Sequence, residues 1–485
     1  MPESVPVLII RELERIQNGF ELSKQNAKDI ETQLKAAFSA GYAKHGEKVG
    51  MLPTYVTKLP DGREQGEAWA IDLGGTNLYI DSEYSNDSYA DTPFRRVCKV
   101  VLKGNHQATL EARKFPVSEE LKQEHSDNGF RFIGYIVDCL DKFMTDLKHP
   151  RSTVLPLGFT FSFPVTMEKI DSGKLIKWTK GYDVKGTVDQ DVAKLLNTAL
   201  TDRNLPIRCN ALLNDTVGAL VSHTYHTGSC SVGAIFGTGT NAALVGKISK
   251  IAKLQKPNET GSIVVNTEWG GFDESSVITL TSFDRQVDEH SGNKGFQLFE
   301  KVISGKYLGE ITRYILLDLI KKDMLFSGYV SSKLDKRHGF DTRFMSDIEM
   351  DTSGKMDKIR KIVTDELGLN MAEGKQVEHS DLEIVRWACQ CVGIRAALLS
   401  GIAVAAALKF IEPPSPASVG IDGTVFLHYP NFKNRLRESL EALELDKDKV
   451  KIGIAEDGSG IGAGICAFLE ARGAPQNDGG RDNVH

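Results

Sequence analysis

Cysteine is scarce in this chain of 485 residues: there are seven (Cys98, Cys139, Cys209, Cys230, Cys389, Cys391 and Cys466), an odd number, mostly set inside apolar runs. That usage excludes a disulfide-built scaffold and leads us to expect a reducing, cytoplasmic setting. Cys389-x-Cys391 has the wrong spacing for a zinc knuckle and reads as one face of a core helix, and no metal-ligand set is expected elsewhere. Long basic runs are absent too. Acidic residues outnumber basic ones by 65 to 59, a formal charge of −6, so a nucleic-acid or anionic-membrane surface is a poor fit. No apolar stretch reaches the roughly 20 residues that cross a bilayer. The strongest, Ala396 to Phe410, contains Lys409 and stops before Glu412, Pro413 and Pro414. The first residues lack the basic start and long apolar segment of a secretion signal.

Two nucleotide signatures are also missing. There is no G-x-x-x-x-G-K-[ST], which excludes a Walker-type phosphate loop. Gly458-x-Gly460-x-x-Ala463 fits the loose dinucleotide pattern, but the chain ends before a ribose-binding acid could follow on a second strand, so a nicotinamide enzyme is not expected.

What is present is ordinary globular material, 41% hydrophobic and 26% charged, long enough for two or three domains. Helical spacing of apolar residues from Val7 to Leu13 and through Ala27, Ile30, Leu34 and Phe38 predicts opening helices. Strand-like runs (Ala68–Ile71, Val154–Phe163, Cys209–Leu213, Val232–Phe236, Val450–Ala455) alternate with helical ones (Gly129–Leu147, Val188–Leu200, Phe299–Lys322, Asp381–Phe410, Ile461–Ala471), which points to an α/β architecture. Ser418 to Phe426 reads as strand, turn, strand, and the charged stretch from Ser332 to Glu378 reads as exposed.

Three glycine turns follow strands, at 74–77, 237–241 and 458–460, and each would bare main-chain N–H groups with little side-chain bulk. One such turn is usually only a tight bend; three together favour nucleotide phosphates. The first two lie 164 residues apart with similar wording, which hints at a duplicated unit. Asn214-Asp215-Thr216 ends a strand, and Asp215 there reads either as a cap for the next helix or as a general base in a cleft. Lys180, Glu268 and Glu300 would be surface charges taken singly. Together with Asp215 and asparagines they would suit a sugar, whose hydroxyls both donate and accept hydrogen bonds.

Several longer stretches resemble the eukaryotic hexokinase and glucokinase family in its fungal form: Leu157-Gly158-Phe159-Thr160-Phe161-Ser162-Phe163-Pro164, Gly173 to Gly181, Asn214 to Gly218, Asn266 to Gly270, Phe299 to Glu310, and Glu456-Asp457-Gly458-Ser459-Gly460. The resemblance implies an actin-like ATPase fold of the ribonuclease H-like class, with a small and a large α/β domain about a cleft. Residues 1–66 would pack on the large domain, 67–209 form the small domain, 210–460 the large one, 461–473 return as a helix to the small one, and 474–485 fray. It implies transfer of the γ-phosphate of Mg-ATP to the 6-hydroxyl of a hexose, glucose first, as the opening step of glycolysis. N-acetylglucosamine, or a catalytically impaired sugar sensor, are the alternatives. Asp215 would be the base, with Lys180 beside it. Ser162, Phe163, Pro164, Thr179, Lys180, Asn214, Asn241, Glu268 and Glu300 would hold the sugar. Asp72, Gly74, Gly75, Thr76, Asn77, Arg96, Gly237, Thr238, Gly239, Lys306, Gly423, Thr424, Gly458, Ser459 and Gly460 would lie along the nucleotide. A monomer or weak homodimer is implied.

One stretch departs from the family wording. Removing Tyr79 to Arg95, 17 residues, would join Asn77-Leu78 directly to Arg96-Val97-Cys98-Lys99, so that segment reads as inserted. It could be a longer hairpin, the mark of a switched-off relative, or a translated intron, the reading we favour; sequencing of the transcript separates these. A genuine insert is expected to keep Arg96 from its place and to weaken phosphoryl transfer.

Overall fold

A computed structural model of the chain describes residues 5–73, 94–124, 129–179, 181–369 and 376–473. Two sheets organise these residues. The first is built of β2 (Gln65–Leu73), β3 (Phe94–Gly104), β4 (Gln107–Pro116), β5 (Leu155–Phe161) and β8 (Ile207–Leu213) in the order β4-β3-β2-β5-β8. The second holds β1 (Leu52–Pro53), β9 (Val232–Phe236), β10 (Thr240–Lys247), β11 (Ser262–Asn266), β12 (Ala417–Asp422) and β13 (Val450–Ile454) in the order β1-β11-β10-β9-β12-β13. A separate hairpin pairs β6 (Val165–Lys169) with β7 (Ser172–Leu175).

Leaving β1 aside, the two sheets repeat one plan. An antiparallel meander of three strands (β2-β3-β4, β9-β10-β11) is continued on the side of its first strand by two parallel strands (β5-β8, β12-β13). The duplication hinted at by the two glycine-rich stretches is therefore written in the topology: the 237–241 turn follows the first strand of its meander, and the other first strand, β2, runs to Leu73. Those first strands sit in mid-sheet, covered on both faces, which is why Ala68 to Ile71 and Val232 to Ala234 are apolar or small without alternation.

Helices α1 (Val7–Asn18) and α2 (Lys24–Ala43) pack Leu13, Ile16, Ile30, Leu34 and Phe38 into the core of the second sheet. Helix α2 starts cleanly because Ser23 Oγ accepts from Asn26 N. On the first sheet, α3 (Phe130–Asp146) buries Phe132, Ile136, Leu140 and Phe143 against Trp69 and Phe159. Helix α4 (Asp215–Thr227) leaves β8 at once. It packs main chain to main chain on the 458–462 turn: a Cβ on Gly218 would come within 2.2 Å of Gly458 O, and one on Gly462 within 2.0 Å of Gly218 O. Helix α5 (Gly305–Lys321) lies against α6 (His379–Ile411), a 33-residue helix that is long and apolar enough to cross a membrane but whose most apolar window is 89% buried in the protein. Helix α7 (Ala463–Gly473) then returns to the first sheet, where a Cβ on Gly158 would meet Ala463 O at 2.1 Å.

Three expectations are corrected here. After Gly423 the chain enters a short helix, Thr424–His428, not a strand. The segment from Ser332 to Leu369 is not an exposed run: it buries Leu334, Phe340, Met345, Ile348, Ile359, Val363, Leu367 and Leu369. Strand β8 stays in the first sheet as far as Leu213, past the 209/210 division expected from sequence.

Candidate active site

The ends of the two mid-sheet strands meet the turns that follow β12 and β13. Asp72 near the end of β2 pairs across the ladder with Arg96 of β3. The Arg96 guanidinium reaches the turn after β13: Nη1 and Nη2 donate to Asp457 Oδ2 and Oδ1 at 2.6 and 2.5 Å, and Nη2 donates to Ser459 Oγ at 2.8 Å. Ser459 Oγ in turn donates to Asp72 Oδ2 at 2.7 Å, and Thr160 Oγ1 donates to Ser459 O at 2.8 Å. Arg96, expected to be held away by the inserted residues, thus stands at the turn in the β2–β3 register. Residues 79–93 of that insert lie outside the described residues.

The turn after β9 faces the turn after β12. Gly423 has φ 109°, a backbone open to glycine, and a Cβ there would strike Phe236 O at 2.4 Å. A Cβ on Gly237 would stand 3.5 Å from Gly423 Cα and 3.6 Å from Thr424 N. Two main chains therefore approach with no side chain between them, a cradle that fits a polyphosphate. The start of α5 completes it: Gly305 N donates to Gly237 O at 2.8 Å and Lys306 N to Thr238 O at 3.1 Å. The Lys306 side chain is exposed and lies over the Tyr307 ring, so only its main chain touches the 237–239 turn.

Asp215 is the first residue of α4, half-buried, where the helix N-terminus favours a carboxylate. The helix cap is Asn214, one residue before the Asp215 expected in that role. Asn214 caps the helix, its Oδ1 accepting from Thr216 N at 3.0 Å and Thr216 Oγ1 at 2.9 Å, and Asp215 Oδ1 also accepts from Thr216 N at 2.9 Å. Since Asn214 Oδ1 is so engaged, its amide N–H₂ is what it could offer a sugar. Burial first, opposed by the Gly423 N–H, and then the charges of Asp457 and Asp215, opposed by Arg96, push the Asp422 carboxyl up to about 6. Gly423 N donates to Asp422 Oδ1 at 2.6 Å.

A second group of side chains gathers where β10 begins and β11 ends. Asn241 Nδ2 and Asn266 Nδ2 both donate to Glu268 Oε1, at 2.8 and 2.7 Å. Asn241 Oδ1 accepts from the main-chain N–H of Glu268 (2.9 Å) and Ala242 (2.8 Å), which fixes the amide so that its N–H₂ points to Glu268. Glu268 itself has φ 56°, a strained setting for a residue with a side chain, held by these bonds. Glu300 Oε2 accepts from Thr240 N at 3.2 Å, and Gly239 and Gly270 leave the room in which Glu300 and Gln297 lie.

The structure thus brings Asp72, Arg96, Gly458, Ser459 and Gly460 together, and Gly237, Thr238, Gly239, Gly423 and Thr424 together. It likewise joins Asn241 with Glu268 and Glu300. It does not place Phe163 as a sugar contact through its ring, which is buried with Phe161, Trp178 and Tyr182. Ser162, Pro164 and Thr179 are half-buried beside that cluster, with Ser162 N donating to Leu73 O and Ile176 N to Pro164 O. Gly74, Gly75, Thr76, Asn77 and Lys180 lie outside the described residues. Asp422, Asp457, Asn266 and Gln297 were not singled out from sequence. Asn266 carried a usable signal, since it stands two residues before Glu268.

Comparison with known proteins agrees with this geometry. Two hexokinase family profiles match the chain, one over residues 12–82 and 91–225, the other over 231–469. The stretch they leave between 82 and 91 falls inside the expected insert. The chain is 35% identical over 467 residues to Hexokinase-1 of Schizosaccharomyces pombe, covering 95% of this chain and 91% of that one. It is 36% identical over 480 residues to a hexokinase of Emericella nidulans (96% and 92%) and 33% over 506 residues to a glucokinase of Aspergillus niger (96% and 98%). A solved hexokinase from Schistosoma mansoni, complexed with glucose, superposes with a TM-score of 0.82 at 33% identity, over 95% of this chain and 99% of that one.

Proposed function

The chain belongs to the hexokinase family and is a hexose kinase with that family's two-domain actin-like fold, and from that premise we propose that it transfers the γ-phosphate of ATP to the 6-hydroxyl of glucose, with Asp215 as the base. The observation that carries the reading is the seating of Asp215 at the head of a helix packed directly on the turn that begins at Gly458, with the charges of Asp215 and Asp457 both felt at Asp422. A base and a phosphate cradle are thereby built from one piece of main chain.

The roles follow from the chemistry of the groups. Glu268 and Glu300 accept hydrogen bonds from sugar hydroxyls, while Asn214 and Asn241 supply amide donors. Ser162 and Thr179 would add hydroxyls to the sugar site, and the family resemblance assigns Lys180 to the same role. Asp215, a weak base, orients the 6-hydroxyl and takes its proton late, as the oxygen gains its bond to phosphorus. Arg96 and Ser459, with main-chain N–H groups at 239 and 424, hold the phosphates. ATP, bound with Mg²⁺, supplies the phosphoryl group and the metal's charge. Closure of a lobe of about residues 67–209 on one of about 210–460 would shut water out, so that the sugar rather than solvent is phosphorylated. Seven buried cysteines support a cytoplasmic site of action.

A coupled assay of ADP release with glucose, fructose, mannose and N-acetylglucosamine tests the reading. We expect the highest kcat/KM with glucose. A higher value with N-acetylglucosamine would reassign the substrate, and sugar binding without ADP release would make the chain a sensor.

A further inference from the structure

Lys253 lies in a short 3₁₀ turn, Ala252–Leu254, beyond β10, half-buried and away from the sugar and phosphate groups described above. An ammonium has three N–H donors, and here each has an oxygen: Nζ donates to Gly41 O at 2.6 Å, Gly50 O at 2.8 Å and Met51 O at 2.6 Å. All three are main-chain carbonyls, and among the described residues no carboxylate shares the charge. Burial without a counter-charge pulls the Lys253 pKa down to about 8. A cation kept at such cost, on carbonyls that a shorter neutral side chain could leave to water, calls for a reason.

The carbonyls belong to the last turn of α2 and to the crossover that carries the chain from α2 to β1. That crossover lies against the strap presenting Glu268. Met51 N donates to Thr267 O at 3.0 Å, and β1 continues the contact by pairing Leu52 with Asn266. A Cβ on Gly50 would stand 3.7 Å from Glu268 Cβ, and one on Gly271 would strike Lys48 O at 2.2 Å. Lys48 also pairs with Asp273 at the far end of the strap. Met51 (φ 45°) and Glu268 (φ 56°) face each other across this contact, both in the left-handed region where a side chain is strained and the surroundings must hold it. The three carbonyls held by Lys253 include that of Met51 itself.

We propose that Lys253 is a positioning residue for the sugar site: its ammonium, bonded to three main-chain carbonyls, clamps the 44–51 crossover onto the strap that presents Glu268. The proposal rests on the reading of Glu268 as a sugar ligand. Lys253 touches no substrate; it sets where the Glu268 carboxylate stands, and a displacement of about 1 Å at such a group can cost up to about a hundredfold.

The test is a cycle of Lys253→Met, Glu268→Gln and the double variant in the full chain. Steady-state kinetics are measured against glucose and ATP, and melting is measured without ligand. We expect Lys253→Met to raise the glucose KM about tenfold while kcat and the ATP KM stay within about twofold, and to add less than about twofold on top of Glu268→Gln. A folded Lys253→Met with an unaltered glucose KM overturns the proposal. So does a tenfold rise that persists in the Glu268→Gln background, since Lys253 would then act elsewhere. If Glu268→Gln alone leaves the glucose KM unchanged, the reading of Glu268 falls and this proposal with it, an outcome distinct from failure at Lys253. Should Lys253→Met not fold, Lys253→Gln, which keeps two N–H donors, is read on the same criteria at smaller amplitude.

Discussion

The carboxylates on the two sides of this site are held by different means. On the sugar side Glu268 takes two amide N–H groups on one oxygen and Glu300 a main-chain N–H. On the phosphate side Asp457 takes both arms of Arg96, Asp72 takes the Ser459 hydroxyl, and Asp422 sits among like charges. Neutral donors orient a carboxylate yet leave it anionic, which is what a group that must accept from sugar hydroxyls needs. Phosphates are anions themselves, so an acid that faces them must first be matched, as Asp457 is by a fixed guanidinium. Under the proposed roles, one fold would meet two recognition problems with amides for one and an arginine for the other.

Three changes would break or sharpen that contrast. The largest effect is expected at the junction of the two sides. Asp215→Ala should lower kcat by about 10² to 10⁴ with the melting temperature little changed, and unaltered turnover would remove Asp215 from the mechanism. Next comes Arg96→Met, which leaves Asp457 facing the phosphates unpaired. We expect kcat/KM for ATP to fall about tenfold or more, the glucose KM to hold, and stability to drop by about 2 kcal/mol, less than for a fully buried pair. Equal losses against both substrates would erase the distinction between the sides. No loss of turnover is at issue at Asp422, which bears on stability alone: its folded pKa of about 6 lies above its ordinary 3.8. A raised carboxyl binds its proton more tightly folded than unfolded. Its contribution to stability is therefore full below about pH 4 and is lost as pH rises through about 6, by up to about 3 kcal/mol. Asp422→Asn should remove that slope, so melts at pH 4.5 and 7.5 should differ less than in the parent; equal slopes would show that Asp422 does not carry it.

Much of this was legible in the chain. The mid-sheet strand β9 announces itself as an unbroken apolar run ending in glycine, at the 237–241 turn, whereas the 458–460 turn follows an edge strand, β13, whose burial alternates. The duplicated sheet plan was visible only as a likeness of two turns, since strand order depends on pairing far along the chain. The burial of 332–369 was hidden because its apolar residues are spaced among charges that point outward. The Gly423 turn looks alike before a strand or a helix, and the partner beyond it decides. At the site, the acids could be named but not their keepers: the ties from Asn266 to Glu268 and from Arg96 to Asp457 span 2 and 361 residues, and spacing is silent on the second.

The bare contact between α4 and the 458–462 turn has one more consequence. With Gly218, Gly458 and Gly462 leaving no space for even a methyl group, the head of α4 and the 458–462 turn are welded into a single block. Under the proposed roles of Asp215 and that turn, the distance between base and phosphate would be manufactured once, at folding, and any opening and shutting would regulate only which sugar arrives and when.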